Sequence, residues 1–325
     1  HPRSVFNFRD MTEEQRKKYE EEFSNKIKEV IKEFKPDVVH AQHVWTLAGI
    51  SAECCKQAGI PMIVTCHGTD LMGIEDEQKR NEKWGSKWAE KAVEYAKDVV
   101  TISKDSNTLI EKIMPKSKGK TIWIRNGVDS HVFERDPNIS KKQVLKDLEI
   151  EKDFEKVVSF AGKLTAFKGV DVLLDAVAKY EKENVLTLIS GDGELRGKLE
   201  EQAKELKLKN VKFLGNQPQS TLKGIYNIAN CSCVPSRREP FGLVAAEAMI
   251  CGTPVIATNE GGLPDFVTPD VGILVNVDDA DALAKAVTQI LEGEVVFDSK
   301  YIADKIKDRY SQDVLINEFI NLYKK

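Results

Sequence analysis

The 325-residue chain carries 48 Lys and Arg against 52 Asp and Glu, a formal charge of −4, with 41% hydrophobic and 31% charged residues. Both signs are interspersed, which argues against the concentrated basic face of a nucleic-acid binder, and no run of 18 apolar residues is present to span a membrane. The length suits about two domains of roughly 100–200 residues, each able to bury a core.

The chain starts at His1, not Met, and no signal-like apolar segment follows. His1-Pro2-Arg3-Ser4 reads as the middle of a loop, so a fragment is expected. Thr12-Glu13-Glu14-Gln15 is a capping-box pattern. It opens an amphipathic helix to about Phe34, with Phe23, Ile27, Val30, Ile31 and Phe34 on one face. Strands are predicted at Asp37–His40, Pro61–Thr65, Val99–Ile102 and Thr121–Ile124. Helices fill the intervals to about Gln57, at about 80–97 and at 104–113. Short buried strands separated by helices mean βαβ units and a parallel sheet. The lysines at 112, 116, 118 and 120 read as a solvated face, with peripheral contact to anionic lipid as the most they imply about a membrane.

Asn126-Gly127-Val128-Asp129 interrupts this alternation, and residues 130–140 read as a linker. Six further strands are predicted at Val157–Ala161, Val185–Ser190, Val211–Gly215, Cys231–Pro235, Pro254–Ala257 and Ile273–Val275, with helices between them. Helices at about 279–292, 298–308 and 311–323 close the chain. The second half thus reads as a complete doubly wound α/β domain. The first half shows only three or four strands, and such a partial sheet would leave apolar edges and faces exposed. Residues before His1 are therefore expected to be missing. The six cysteines, Cys54, Cys55, Cys66, Cys231, Cys233 and Cys251, form no Cys-x-x-Cys pair and read as small core residues in a reducing cytoplasm.

The densest chemistry lies in Arg238-Glu239-Pro240-Phe241-Gly242-Leu243-Val244-Ala245-Ala246-Glu247-Ala248. Pro240 pushes Glu239 to an extended conformation and suits a first helical position. A helix starting around Phe241 and Gly242 would leave backbone N–H groups free for an anion. Glu247 would then lie about two turns further in, on the order of 9 Å along the axis. Two carboxylates flanking a phosphate-sized electropositive gap match the sugar, diphosphate and ribose of a nucleotide sugar. Lys163 and Lys168 follow a strand ending at Ala161, on the edge of a parallel sheet where ligands gather. Gly191-Asp192-Gly193 breaks off after two glycines, so a dinucleotide fingerprint is not supported. Asp279-Ala280-Asp281 sits at a helix start and reads as a cap, so no metal site is expected.

With two Rossmann-like halves and this Glu-x₇-Glu spacing, the chain resembles the GT-B glycosyltransferases, specifically the retaining family-4 branch (glycosyltransferase group 1). Further ordered motifs carry the likeness: Lys35-Pro36-Asp37-Val38-Val39-His40-Ala41, Thr65-Cys66-His67-Gly68-Thr69-Asp70, Arg125-Asn126-Gly127-Val128-Asp129, Gly162-Lys163-Leu164 with Lys168-Gly169, and Gly252-Thr253-Pro254-Val255. Lys163 stands where the family often has Arg.

The resemblance implies two Rossmann-like doubly wound domains facing across a cleft. These would be an incomplete acceptor-side domain at 1–130, joined by the helix 309–325, and a nucleotide-sugar domain at 140–308. It implies catalytic roles for His67, Glu239 and Lys168, and donor-phosphate contacts from Lys163, Lys168, Phe241, Gly242 and Leu243. The nucleoside falls to Glu247, Gly191, Asn216 and Gln217, and the acceptor side to Thr69, Asp70 and Asn126. The implied activity is metal- and cofactor-independent transfer of a hexose or N-acetylhexosamine from a UDP-sugar to an unidentified acceptor, with retention. Two other readings stay open: a nucleotide-sugar epimerase on the same scaffold, or a donor-binding fragment that needs another chain for the missing strands.

Overall fold

The computed structural model describes residues 11–79 and 83–325, which form two compact units, one ending at Ile124 and one running from Arg125 to Lys325 with the final helix included. The first unit contains α1 (Glu13–Phe34), β1 (Val39–Gln42), α2 (Thr46–Ala58), β2 (Met62–Cys66), α3 (Thr69–Lys79), α4 (Trp84–Tyr95), β3 (Asp98–Thr101), α5 (Lys104–Ile113) and β4 (Thr121–Trp123). Its strands form one all-parallel sheet in the order β1-β2-β3-β4. β2 is buried throughout, as a strand covered on both faces must be.

The expected capping box is present at Thr12 and Gln15. One carboxylate then fixes α1 to the unit, Glu20 accepting from the indoles of Trp84 and Trp88 at 2.6 and 2.8 Å. The apolar face is only partly used: Ile31 packs against the core, while Phe23, Val30 and Phe34 are exposed.

The helix expected at about 80–97 is α4, and a further helix, α3, precedes it where the sequence showed no apolar period. Its signal was a buried acid. Glu77 accepts from the N–H groups of Gly85 and Ser86 and from the Ser86 hydroxyl, joining α3 to the first turn of α4. The lysine group is not a uniform solvated face. Lys116 pairs with Glu94, and Lys120 donates to the carbonyls of Val93, Glu94 and Ala96, capping the C-terminus of α4.

The second unit contains α6 (Lys141–Asp147), β5 (Lys156–Ala161), α7 (Val170–Tyr180), β6 (Val185–Ser190), α8 (Arg196–Glu205), β7 (Val211–Gly215), α9 (Gln219–Ile228), β8 (Cys231–Val234), α10 (Leu243–Ile250), β9 (Val255–Thr258), β10 (Gly272–Val275), α11 (Ala280–Leu291), α12 (Ser299–Tyr310) and α13 (Gln312–Tyr323). The sheet order is β10-β9-β8-β5-β6-β7, all parallel. The chain winds outward from β5 to β7, then returns to place β8 on the other side of β5. That is the doubly wound dinucleotide-fold order, whose reversal opens a ligand crevice at the carboxyl ends of the two central strands. All six cysteines are free and buried, as expected.

Two glycines let the loops at this crevice touch. A Cβ on Gly191 would lie 1.9 Å from the Gly162 carbonyl oxygen, and one on Gly169 would lie 2.0 Å from the Pro235 carbonyl oxygen, both with φ in the left-handed region. Backbone cannot yield there as a flexible side chain could. Gly191→Ala is expected to destabilise the second unit by about 2–4 kcal/mol, whereas Gly197→Ala, in the open first turn of α8, gains a few tenths. Thermal melts of the two variants check this, and a Gly191→Ala variant as stable as the parent would refute it.

Candidate functional site

In the second unit the loops after β5, β6 and β8 converge at the reversal. The loop after β5 is stitched to the one after β6: Gly162 N–H donates to the Ser190 carbonyl, Leu164 N–H to that of Asp192, and Leu195 N–H to that of Leu164. Leu164 is buried, whereas Lys163 is exposed and Lys168 partly buried. The Lys168 ammonium lies 2.6 Å from Glu239 Oε2, and the Ser236 hydroxyl donates to the same oxygen at 3.1 Å. Glu239 is buried, and its carbonyl accepts from Gly262 N–H at 2.9 Å, so the loop after β9 closes over it. Lys168 from one loop is thus joined to Ser236 and Glu239 from another.

The helix expected around Phe241 begins at Leu243. Gly242, at φ 102°, is its N-cap, and Pro240 stands outside it rather than at its first position. A left-handed residue cannot continue a right-handed helix, so the glycine sets the start. Glu247 is the fifth residue of α10, about 6 Å along the axis from Leu243, closer than the two turns expected. The Phe241 ring is buried against Phe266, with centroids 5.4 Å apart, and near Tyr310 at 6.2 Å, so it anchors the turn; only its backbone remains available to a ligand. Leu243 is exposed, and in the first turn of α10 the N–H groups of Ala245 and Ala246 donate to the Gly242 carbonyl, which leaves those of Leu243 and Val244 ahead of the first helical bonds.

Glu247 is partly buried, and burial pushes its carboxyl up to about 7, with the neighbouring Tyr226 hydroxyl offsetting only part of that rise. Gly191 borders the same edge, its N–H donating to the Gly215 carbonyl at 2.7 Å. Asn216 is exposed, while the Gln217 amide turns back onto the Leu214 carbonyl at 2.7 Å. Asp279 caps α11 through Ala282 N–H, and Asp281 is ion-paired with Lys179.

In the first unit the loops after β1 and β2 meet. His67 follows β2, and its Nε2 lies 2.8 Å from Gln42 Oε1. The His43 ring, on a residue with φ 68°, is 4.5 Å from that of His67. Burial first, and then His43, lower the His67 pKa, while Asp70 raises it. His40 is pushed down to about 4 by burial and by His67, and bonds Thr65 Oγ1 at 2.7 Å.

Asp70 is buried and its carboxylate is spent on backbone. It accepts from Val44 N–H at 2.7 Å, His67 N–H at 3.0 and 3.3 Å, and Leu71 N–H at 3.0 Å. Sequence reasoning missed Gln42, recognisable only by what it touches, and gave no role to Ser236, although Ser236 heads the motif that runs to Gly242. Thr69 is exposed at the start of α3, and Asn126 is half-buried after β4.

Because Glu247 binds its proton more tightly folded than unfolded, its neutral form stabilises the protein below about pH 4.5, and that stability is lost as pH rises through about 7. Glu247→Gln removes the titration. Its melting temperature is expected to match the parent's below pH 4.5 and to exceed it by several degrees at pH 8, for up to about 3 kcal/mol of ionisation cost. A pH series of melts on both proteins reads the difference; parallel curves would exclude a neutral Glu247.

Residues 141–308 match the family described as glycosyl transferases group 1, and residues 9–132 match glycosyltransferase family 4. An uncharacterized glycosyltransferase of Methanocaldococcus jannaschii is 31% identical over 305 residues, covering 89% of this chain and 75% of the relative. The D-inositol 3-phosphate glycosyltransferase of Corynebacterium urealyticum is 33% identical over 241 residues, 70% of this chain and 56% of that protein. The chain therefore spans between about half and three quarters of these relatives.

Among solved structures, sucrose-phosphate synthase from Thermosynechococcus elongatus superposes with a TM-score of 0.78 at 24% identity, covering 97% of this chain and 79% of that one. The Anabaena protein HepE, in complex with UDP and glucose, gives 0.78 at 22% identity, covering 92% and 81%. Two parallel-sheet α/β units with these neighbours have the GT-B fold. The chain belongs to the group 1 glycosyltransferases.

Proposed function

We propose that this glycosyltransferase is a retaining enzyme, moving a hexose or N-acetylhexosamine from a nucleotide sugar to an unidentified acceptor, without a metal ion and in the cytoplasm. The observation that carries the donor half is the meeting of Lys168, Glu239 and Ser236 at the strand reversal, beside the N-terminus of α10. Lys163, Lys168 and the N–H groups from Phe241 to Leu243 receive the diphosphate, supplying the positive charge that a leaving diphosphate needs. Glu239 accepts from sugar hydroxyls and Glu247 from the ribose hydroxyls, while Gly191, Asn216 and Gln217 border the base.

From the first unit, His67 orients a hydroxyl of the transferred sugar. Its lowered pKa keeps it neutral at pH 7, so it acts as a hydrogen-bonding group and not as a cation. Thr69 and Asn126 remain on the acceptor side. Asp70, with its oxygens committed to backbone N–H groups, supports that loop from beneath. In retention without a protein nucleophile, the acceptor oxygen bonds the anomeric carbon on the face from which the diphosphate departs. The departing phosphate oxygen takes the acceptor's proton.

UDP, GDP and ADP are tested first by thermal shift. A nucleotide at 100 times its Kd raises stability by about 2.7 kcal/mol. Glu247→Ala should weaken the best binder about tenfold or more, as expected when hydrogen bonds to a charged group are lost. An unchanged shift would remove Glu247 from the ribose. Incubation with the matching labelled nucleotide sugar then separates activities: sugar transfer only with an acceptor supports the transferase, and acceptor-free conversion of the donor would sink it.

A further inference from the structure

Arg237 lies two residues before Glu239, and the donor reading gives it no task. Its guanidinium is engaged on three sides. Nη1 and Nη2 donate to the two oxygens of Asp171 at 2.9 and 2.6 Å, Nη1 also to the Ala166 carbonyl at 2.7 Å, and Nε to Asp278 Oδ1 at 2.6 Å. Its backbone N–H donates to the Phe167 carbonyl at 2.7 Å. One residue of the loop after β8 therefore grips the turn at 166–168, the first turn of α7 and the loop after β10. Asp278 sits at φ 60°, in the left-handed region that aspartate tolerates better than most non-glycine residues. Burial raises the Asp171 carboxyl, yet the hydrogen bonds and charge of Arg237 outweigh it and hold the group below its ordinary value.

The gripped turn is the one that carries Lys168. Both carbonyls that Arg237 holds, those of Ala166 and Phe167, belong to it, and the Lys168 ammonium reaches Glu239 two residues beyond Arg237. A lysine is a point charge on a flexible stem, so its aim depends on where the backbone is held. A planar guanidinium that binds a carboxylate with two parallel bonds fixes orientation as well as distance.

We propose that Arg237 is a positioning residue for the donor diphosphate, clamping the Lys168 turn onto the Glu239 loop without touching substrate. This rests on the assignment of Lys163 and Lys168 to the diphosphate. The rival role, a direct phosphate ligand, would require Arg237 to leave Asp171 and Asp278.

The test uses the full chain and calorimetric Kd values for UDP and uridine, with GDP and guanosine, and ADP and adenosine, in parallel. The ratio of nucleoside to diphosphate Kd isolates the diphosphate's contribution. Arg237→Gln is expected to lower that ratio about tenfold while leaving the nucleoside Kd within about twofold. Asp171→Asn and Asp278→Asn lower it by smaller factors, and the Arg237→Gln, Asp171→Asn double variant falls no further than Arg237→Gln alone. A general loss of structure would weaken nucleoside and diphosphate together.

A parental ratio in folded Arg237→Gln overturns the proposal. If that variant does not fold, a parental ratio in both Asp variants overturns it. Tighter UDP binding in the Asp variants, with weaker binding in Arg237→Gln, also overturns it by making Arg237 a phosphate ligand. Failure of the parent to bind any of the three diphosphates, or an unchanged ratio in Lys168→Ala, overturns the donor reading itself and not merely the clamp.

Discussion

β5 and β8 are neighbours in the sheet, although β6, β7 and the helices α7, α8 and α9 lie between them in the chain. All six strands are parallel, so every loop that follows a strand emerges on one edge. The reversal between β5 and β8 is where two of those loops part in opposite directions. Lys168 and Glu239 come from those two loops, 71 residues apart, and meet at 2.6 Å. Had the chain continued outward past β7, the same residues would have stood strands apart. The close backbone approach of Gly169 to Pro235 serves the same adjacency, and that of Gly191 to Gly162 holds the loop after β6 against the loop after β5, because side chains there would force the loops apart.

The ion pair itself is a compromise. Glu239 is buried and Lys168 partly so, and taking both charges out of water costs several kcal/mol each unless each finds the other. Removing either partner would strand a charge. The pairing therefore keeps an otherwise costly carboxylate in place, with Ser236 satisfying the same oxygen. It also means that an anion arriving at Lys168 meets a cation already engaged, so the lysine must divide its hydrogen bonds between the carboxylate and the newcomer. An ammonium has three donors, which makes that division possible without breaking the pair.

Much of this was legible in the sequence, and the gaps have physical causes. A strand buried on both faces is a near-continuous apolar run, so Val185–Ser190 was placed at its observed bounds, and the edge strand Val211–Gly215, though only partly buried, was bounded as closely by the turn residues around it. Glu239, Lys168 and His67 drew attention as candidates because Pro, Gly and strand ends punctuate the chain around them. Helix α3 was missed because its apolar pattern is short, Leu71 and Ile74 being its fully buried apolar residues, and polar contacts do the rest: Asp70 turned onto backbone N–H groups, Glu77 onto Gly85 and Ser86. No periodicity announces a carboxylate that faces inward. The start of α10 was misplaced for a related reason. Pro240 is compatible with a first helical position, but Gly242 in a left-handed conformation decides, and glycine carries no mark of the φ it will adopt.

The two glutamates of the Glu-x₇-Glu spacing show how far identical side chains are separated by surroundings. Glu239 sits in a loop with an ammonium and a hydroxyl both bonded to one of its oxygens. Glu247 sits one helix turn inside α10, where the dipole's help has faded, with a phenol as its neighbour. Burial then dominates and lifts it to about 7. The pair is thus asymmetric before any ligand arrives: one carboxylate is already joined to a cation, while the other is near the midpoint of its titration at neutral pH. A hydrogen-bond donor that reached Glu247 would favour its ionised form, because donors to a carboxylate stabilise the charge that burial opposes. Occupation of that end by hydroxyl groups is therefore coupled to release of its proton.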